Sequence, residues 1–124
     1  MDKVIRILIL EDRTTDADLM EFELMEAGLV FTSRRTFDEK TFLRGLDEFS
    51  PDLILSDYDL PQYSGALALA AAKRRFPEVP FILVTGALGN DAAKVGEILT
   101  GGASGYVLKN RLDLLASAVY SALR

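Results

Sequence analysis

The sequence contains no cysteine and no histidine. Without cysteine, the chain cannot form disulfides, thiolate metal sites or thiol nucleophiles. Without histidine, it lacks the usual acid–base group near neutral pH and the usual zinc ligand. Any site chemistry in this protein must therefore use carboxylates, lysine amines, or the hydroxyl groups of serine, threonine and tyrosine.

Basic residues are also in the minority, since 14 Lys and Arg stand against 19 Asp and Glu, for a formal net charge of −5. Phosphate backbones repel such a chain as a whole, so we expect no direct nucleic-acid partner. No apolar run approaches the roughly 18 residues of a membrane span. The short apolar segment near the N-terminus leads directly into EDRTTD, which predicts a first strand rather than a signal peptide. We expect a cytoplasmic protein without a membrane partner.

Short apolar segments alternate with helical patterns five times along the 124 residues, which suits a single domain spanning 1–124. Alternation of this kind predicts an α/β protein, with a doubly wound parallel sheet covered by helices on both faces. The second segment is the most polar of the five and is typical of an edge strand. The predicted strands are Val4–Leu10, Val30–Thr36, Asp52–Ser56, Pro80–Val84 and Gly105–Leu108.

Five helices are predicted between and after these strands. Gly28 is expected to end the first helix. Gly96 lies inside the fourth, where glycine costs about 1 kcal/mol relative to alanine. This glycine either leaves the fourth helix the least stable of the five or permits close packing against a neighbour. The predicted helices run from a cap at Thr14 or Thr15 to about Ala27, and over Asp38–Phe49, Ser64–Phe76, Asp91–Leu99 and Leu112–Leu123.

Polar residues follow four of the five strands, and in doubly wound sheets the sites form beyond these carboxyl ends. Each residue alone fits an ordinary turn or a solvated surface position. Together, carboxylates this close require a compensating cation, and Mg²⁺ suits their hard oxygen atoms. An aspartate in such a group could attack a phosphoryl group. The residues are Glu11 and Asp12 after the first strand, Asp57 after the third, Thr85 and Gly86 after the fourth, and Lys109 after the fifth.

The ordered motifs ED at 11–12, LSDYDLP around Asp57, VTGA at 84–87 and YVLK at 106–109 resemble the receiver domain of bacterial two-component response regulators, of the chemotaxis-regulator-like type. The resemblance implies a flavodoxin-like, five-stranded sheet with strand order 2-1-3-4-5. It also implies that Asp57 accepts a phosphoryl group from a histidine kinase or phosphotransfer protein. Such a domain is mainly a signalling module that catalyses its own phosphotransfer and autodephosphorylation, and it acts on a downstream protein or a fused output domain.

The resemblance further assigns a metal site to the acidic residues. Asp12 and Asp57 would bind Mg²⁺ through their side chains, and Mn²⁺ would substitute. Glu11 would act mostly through water, and Asp59 would contribute its backbone carbonyl oxygen.

Three further residues take roles by the same resemblance. Thr85 and Lys109 would contact the phosphoryl group, and Tyr106 would be an aromatic switch that turns inward when Thr85 moves. This movement would change the surface formed by the fourth helix, the fifth strand and the last helix. Receivers usually follow the lysine with a proline in a cis peptide, whereas Asn110 stands here. A cis bond before a non-proline residue costs roughly 2.5–4 kcal/mol, so either the fold holds it at that cost or the bond is trans and Lys109 sits differently.

Other readings of the same residues remain open at this point. The DYD at 57–59 also resembles the start of haloacid-dehalogenase-type phosphatases, in which the aspartate nucleophile follows the first strand. A second alternative is a receiver-shaped interaction module that is never phosphorylated. A flavodoxin-like flavin binder fits less well, because acidic strand ends would repel the cofactor phosphate.

Overall fold

A computed structural model describes residues 3–86 and 92–124. Its main sheet has five parallel strands, which are β1 (Ile5–Leu10), β2 (Phe31–Thr36), β3 (Leu53–Ser56), β4 (Phe81–Thr85) and β5 (Gly105–Leu108). Their order in the sheet is β2-β1-β3-β4-β5. This confirms the predicted fold class and strand order, and it confirms the most polar strand, β2, as an edge.

Helices cover both faces of this sheet. Among the described residues there are also two short elements that the sequence did not predict. One is an antiparallel hairpin formed by the two-residue strands Asp59–Leu60 and Tyr63–Ser64. The other is the 3-10 helix Lys109–Leu114, which follows β5. The α-helices are α1 (Thr14–Glu26), α2 (Glu39–Phe49), α3 (Gly65–Arg75), α4 (Ala92–Thr100) and α5 (Leu115–Leu123).

Side chains alternate along each strand, so the sheet supports two separate cores. Leu8 and Leu10 of β1 join a core with residues of α2, α3 and α4. Ile7 and Ile9 join a second core with residues of α1 and α5. All four side chains are fully buried. This two-sided burial explains why β1 is an unbroken apolar run instead of an alternating one.

The start of α1 differs from the prediction that Thr14 or Thr15 caps it. Arg13 occupies the cap position in an extended conformation and makes no side-chain cap hydrogen bond. Its N–H donates instead to the Glu11 carboxylate at 3.2 Å, which turns the chain into the helix one residue earlier. At the other end, Gly28 has a φ of +85° and ends the helix as predicted.

The predicted last helix, Leu112–Leu123, is wrong at its start. Its first three residues belong to the 3-10 helix, and α5 begins only at Leu115. Arg111 has non-helical backbone angles, with φ −134° and ψ 46°, and this residue separates the turn after β5 from the helix. The predicted start of the fourth helix at Asp91 lies outside the described residues.

Gly96 does not serve close packing, so that reading of the fourth helix is wrong. A Cβ atom built at Gly96 would find no heavy atom within 4 Å among the described residues. Gly45, inside α2, is the opposite case, because its Cβ would lie 2.7 Å from Leu8 Cδ1. In the part of the chain that the structure describes, no helix combines the length and the apolar character needed to cross a bilayer.

Candidate functional site

The carboxyl ends of β1, β3, β4 and β5 surround a cleft of about 350 Å³. Glu11, predicted to belong to the site, lies buried beside the cleft, whereas Tyr106 lies away from it on β5. Arg13 and Asp16 line the cleft although the sequence analysis assigned them no role there. The lining residues are Asp12, Arg13, Asp16, Asp57, Asp59, Thr85, Gly86 and Lys109.

The Asp57 carboxylate is held firmly at the floor of this cleft. Its backbone N–H donates to the Leu10 carbonyl at 2.9 Å, which extends the pairing of β3 with β1 by one residue. Its Oδ1 accepts a 2.7 Å hydrogen bond from the Tyr58 N–H, and Oδ2 lies 3.0 Å from Lys109 Nζ. The residue is only 8% exposed. Asp57 is therefore a fixed, nearly buried carboxylate rather than a solvated turn residue.

Gly65, the first residue of α3, allows the hairpin to fold back against Asp57. Its N–H donates to the Tyr58 carbonyl at 2.7 Å. A Cβ atom at this position would lie 2.6 Å from the Asp57 carbonyl oxygen and 2.9 Å from Leu83 Cδ1. Only glycine fits here without displacing the backbone that carries Asp57.

The Lys109 ammonium group joins the site from the opposite side. Its Nζ donates to Asp16 Oδ2 at 2.8 Å and to Asp57 Oδ2 at 3.0 Å. Glu11 Oε1 lies 2.6 Å away as an ion pair without satisfying hydrogen-bond geometry. Burial by itself would lower the pKa of Lys109, but these carboxylates outweigh it and raise the pKa. The ammonium group is therefore charged at any physiological pH.

The open question about the Lys109–Asn110 peptide is resolved, because no cis peptide bond occurs among the described residues. With a trans bond, the chain enters the 3-10 helix directly at Lys109. The ammonium group nevertheless reaches Asp57. Hydrogen bonds to Asp16 and Asp57 hold the ammonium group in this position.

Three carboxylates could hold a metal ion at one side of the cleft. Oxygen atoms of Glu11, Asp12 and Asp57 all lie within 4.8 Å of one another. Burial raises the pKa of Glu11, the nearby Asp57 charge raises it further, and Lys109 opposes both effects. Glu11 Oε1 is fully buried and has no hydrogen-bond partner among the described residues. A hard cation with oxygen ligands, such as Mg²⁺, fits this donor set and would offset the excess negative charge.

Asp16 is an acidic residue in the first turn of α1, and the sequence analysis gave it no role. The structure brings it to Lys109, which is 93 residues further along the chain. A signal for this contact exists in the sequence, since a helix that starts two residues after Asp12 directs its first turn toward the end of the same strand. Spacing alone could not indicate which cation it meets.

Thr85 and Tyr106 lie on the same face of the sheet. Thr85 is the last residue of β4, is buried, and shares its side of the strand with Leu83 two residues earlier. Leu83 pairs with Tyr106 of β5, and Leu83 packs in one core with Ile98 of α4. The Tyr106 side chain is 42% exposed. This face therefore connects the end of β4, β5 and α4.

The position of Asp57 in the topology bears on the haloacid-dehalogenase alternative left open by the sequence. Haloacid-dehalogenase-type phosphatases carry their nucleophile after the first strand, whereas Asp57 follows β3. The acidic pair Glu11 and Asp12 comes earlier in the chain, directly after β1, the strand that pairs with β3. This order fits the receiver pattern and not the phosphatase pattern.

Comparison with known proteins also supports the receiver pattern. Residues 7–120 match the family model described as response regulator receiver domain. Transcriptional regulatory protein DegU of Brevibacillus brevis is 33% identical over 75 residues, 60% of this chain but only 31% of that relative's length. The match thus spans less than a third of that relative.

Solved structures agree in fold. A putative response regulator from Chloroflexus aurantiacus superimposes with a TM-score of 0.86 at 23% identity, covering 98% of both chains. A CheY-like receiver domain protein from Methanospirillum hungatei gives a TM-score of 0.83 at 24% identity, covering 98% of this chain and 94% of the other. With residues 7–120 matched by the family model, this chain belongs to the response regulator receiver domain family of two-component systems.

Proposed function

We propose that this receiver domain accepts a phosphoryl group on the Asp57 carboxylate from the phosphohistidine of a histidine kinase or phosphotransfer protein. In this step a bond forms between a carboxylate oxygen and phosphorus, the phosphorus–nitrogen bond breaks, and the imidazole leaves. The observation that carries the proposal is the fixed, nearly buried Asp57 whose Oδ2 lies 3.0 Å from the Lys109 ammonium group.

The surrounding residues supply the charge that the transfer requires. Lys109 would neutralise a phosphoryl oxygen, and the Thr85 hydroxyl, at the end of the adjacent β4, would donate a hydrogen bond to another. Thr85 ends β4 and Lys109 directly follows β5, so movement of the side chains alone can bring both groups to the phosphoryl oxygens. Attack by water on the phosphorus would later break the bond to the carboxyl oxygen, release inorganic phosphate and return Asp57 to a carboxylate.

Mg²⁺ would be held by Asp12 and Asp57, by Glu11 mostly through water, and by the Asp59 backbone carbonyl. When bound, the ion would offset the negative charge of the carboxylates and of the phosphoryl oxygens, and Mn²⁺ would serve similarly. Both Glu11 oxygens already have close nitrogen neighbours, Lys109 and the Arg13 N–H, whereas Asp12 is exposed in the cleft. Asp12→Ala should therefore weaken Mg²⁺ binding more than Glu11→Ala in calorimetric titration, and the reverse ranking would contradict this assignment.

Intact-mass analysis after incubation with acetyl phosphate and Mg²⁺ tests the phosphoacceptor. The wild-type protein should gain one phosphoryl group, chelation should prevent the gain, and Asp57→Asn should abolish it. Asp59→Asn is the matched control, because it removes a carboxylate from the same cleft but keeps the backbone carbonyl. Phosphorylation of Asp57→Asn at the wild-type level would refute the assignment. A folded wild type that takes up no phosphoryl group would favour the non-phosphorylated interaction module.

The output surface proposed for this domain is the one formed by α4, β5 and α5, which would bind a downstream protein or a fused output domain. A phosphoryl oxygen would draw in the Thr85 hydroxyl, and the exposed Tyr106 would then turn inward on the same face of the sheet. Lys94 of α4, 5.3 Å from the ring centre of Tyr58, adds a contact between this helix and the residue after Asp57.

Hydrogen exchange with and without beryllofluoride, a phosphoryl mimic, tests this coupling. Protection should change over Ala92–Thr100 and Gly105–Leu108 in the wild type, and the change should shrink in Thr85→Ala. Changes confined to the surroundings of Asp57, or changes that persist undiminished in Thr85→Ala, would rule out this route.

A further inference from the structure

The Lys109 ammonium group has three N–H donors and three carboxylate neighbours. Under the proposed function, Asp57 would become the acyl phosphate, and Glu11 would also interact with Mg²⁺ through water. Asp16 is different. It lies outside the group of three carboxylates that could share a metal ion, and its Oδ2 accepts a 2.8 Å hydrogen bond from Lys109.

We propose that Asp16 is a positioning residue that keeps the Lys109 ammonium group in the cleft while Asp57 is phosphorylated. This inference rests on the proposed function of Asp57. A lysine side chain is a flexible four-carbon stem, so an ammonium group that loses its carboxylate partners swings toward solvent. Of the three carboxylates, Asp16 is the one that neither the phosphoryl group nor the metal ion would engage.

The helix that carries Asp16 makes it a suitable anchor. Ala17 follows Asp16 directly, and Met20 lies one turn later on α1. Both are buried in the core between α1, α5 and the sheet. The Asp16 side chain is 23% exposed, and that of Lys109 is 20% exposed. The contact is therefore partly shielded from water and is carried by a packed element rather than a loop.

Asp16 could act in a second way, since its negative charge also repels the incoming phosphoryl oxygens. The two effects predict opposite results and can be separated by substitution. Asp16→Asn removes the charge but keeps an oxygen that accepts a hydrogen bond from Lys109, whereas Asp16→Ala removes both. Positioning predicts a phosphorylation rate that falls from wild type through Asp16→Asn to Asp16→Ala. Repulsion alone predicts that both variants match each other and react at least as fast as wild type.

The first measurement is nitrogen-15 NMR of the Lys109 ammonium group in the metal-free protein. Loss of one charge-assisted hydrogen bond in Asp16→Ala should speed ammonium hydrogen exchange by about tenfold. Asp18→Ala is the control, because it removes the same charge from α1 but at a side chain that is 60% exposed and paired with Arg35. Unchanged exchange in Asp16→Ala, or an equal effect in Asp18→Ala, would overturn the proposal.

The second measurement is the rate of phosphorylation by acetyl phosphate, which should fall by about tenfold in Asp16→Ala. In a Lys109→Ala background the same substitution should cost nothing, because a residue that acts through Lys109 loses its effect without it. Undiminished loss in that background would overturn the proposal, as would equal rates for Asp16→Asn and Asp16→Ala. If Asp16→Ala fails to fold, both measurements are made on Asp16→Asn, with Asp18→Ala as the control.

The two measurements separate this inference from the proposed function. If the wild type takes up no phosphoryl group, the phosphoacceptor proposal fails, while ammonium exchange still decides whether Asp16 holds Lys109. If phosphorylation proceeds but Asp16→Ala changes neither exchange nor rate, the phosphoacceptor proposal stands and Asp16 has no positioning role.

Discussion

Replacing Gly96 with alanine should stabilise the protein by about 1 kcal/mol, which is the difference in helix propensity between the two residues. Gly96 lies in the middle of α4 (Ala92–Thr100), and an added Cβ meets no heavy atom within 4 Å among the described residues. No packing cost therefore offsets the gain. For a chain of this size, 1 kcal/mol corresponds to a rise in Tm of about 4 °C.

Gly45→Ala provides the matched control, because it makes the same substitution inside another helix, α2. There the new Cβ would lie 2.7 Å from Leu8 Cδ1 and 3.3 Å from Thr36 Cγ2, and both neighbours are buried. Overpacking of this kind costs about 1–3 kcal/mol, which exceeds the gain in helix propensity. We expect Gly45→Ala to lower the free energy of unfolding, opposite in sign to Gly96→Ala.

Urea unfolding followed by circular dichroism measures both effects, provided that the m-value stays constant. Hydrogen exchange localises the gain, since amides of α4 should exchange about fivefold more slowly in Gly96→Ala. If α4 has to move for signalling, the same variant should also show a smaller response to beryllofluoride. A neutral or destabilising Gly96→Ala, or shifts of the same sign for both variants, would refute the reasoning from local space.

Two further predictions concern acid stability and the fit at Asp57. Burial raises the pKa of Glu21, but Arg35 and Ser33 outweigh it and lower the pKa below the usual 4.5. A depressed pKa stabilises the fold above that usual value and loses this effect as pH falls through the folded pKa. Glu21→Gln should therefore lower the urea midpoint at neutral pH but not at strongly acidic pH, and a difference that is independent of pH would contradict this. Gly65→Ala should destabilise the protein by about 1–3 kcal/mol and slow phosphorylation, since its Cβ would lie 2.6 Å from the Asp57 carbonyl oxygen; wild-type behaviour in both assays would refute the steric argument.

Features that depend on neighbouring residues in the chain could be predicted from the sequence. The apolar segments of β1, β3 and β4 become strands that are buried on both faces, and the polar edge strand follows from its composition. Gly28 ends α1 because a positive φ costs glycine little. Glu11, Asp12, Asp57, Thr85 and Lys109 could be placed together, because parallel strands end at one edge of the sheet.

Features that depend on distant parts of the chain were decided only by the tertiary structure. Gly45 and Gly96 occupy similar places in their helices, yet one faces the packed core and the other faces open space. Asp16 looks like any acid in a first helical turn until α1 is placed against the segment after β5, which brings it to Lys109. The physical reason is that helix and strand preferences act between near neighbours, whereas the partner of a side chain is set by how whole elements pack on the sheet.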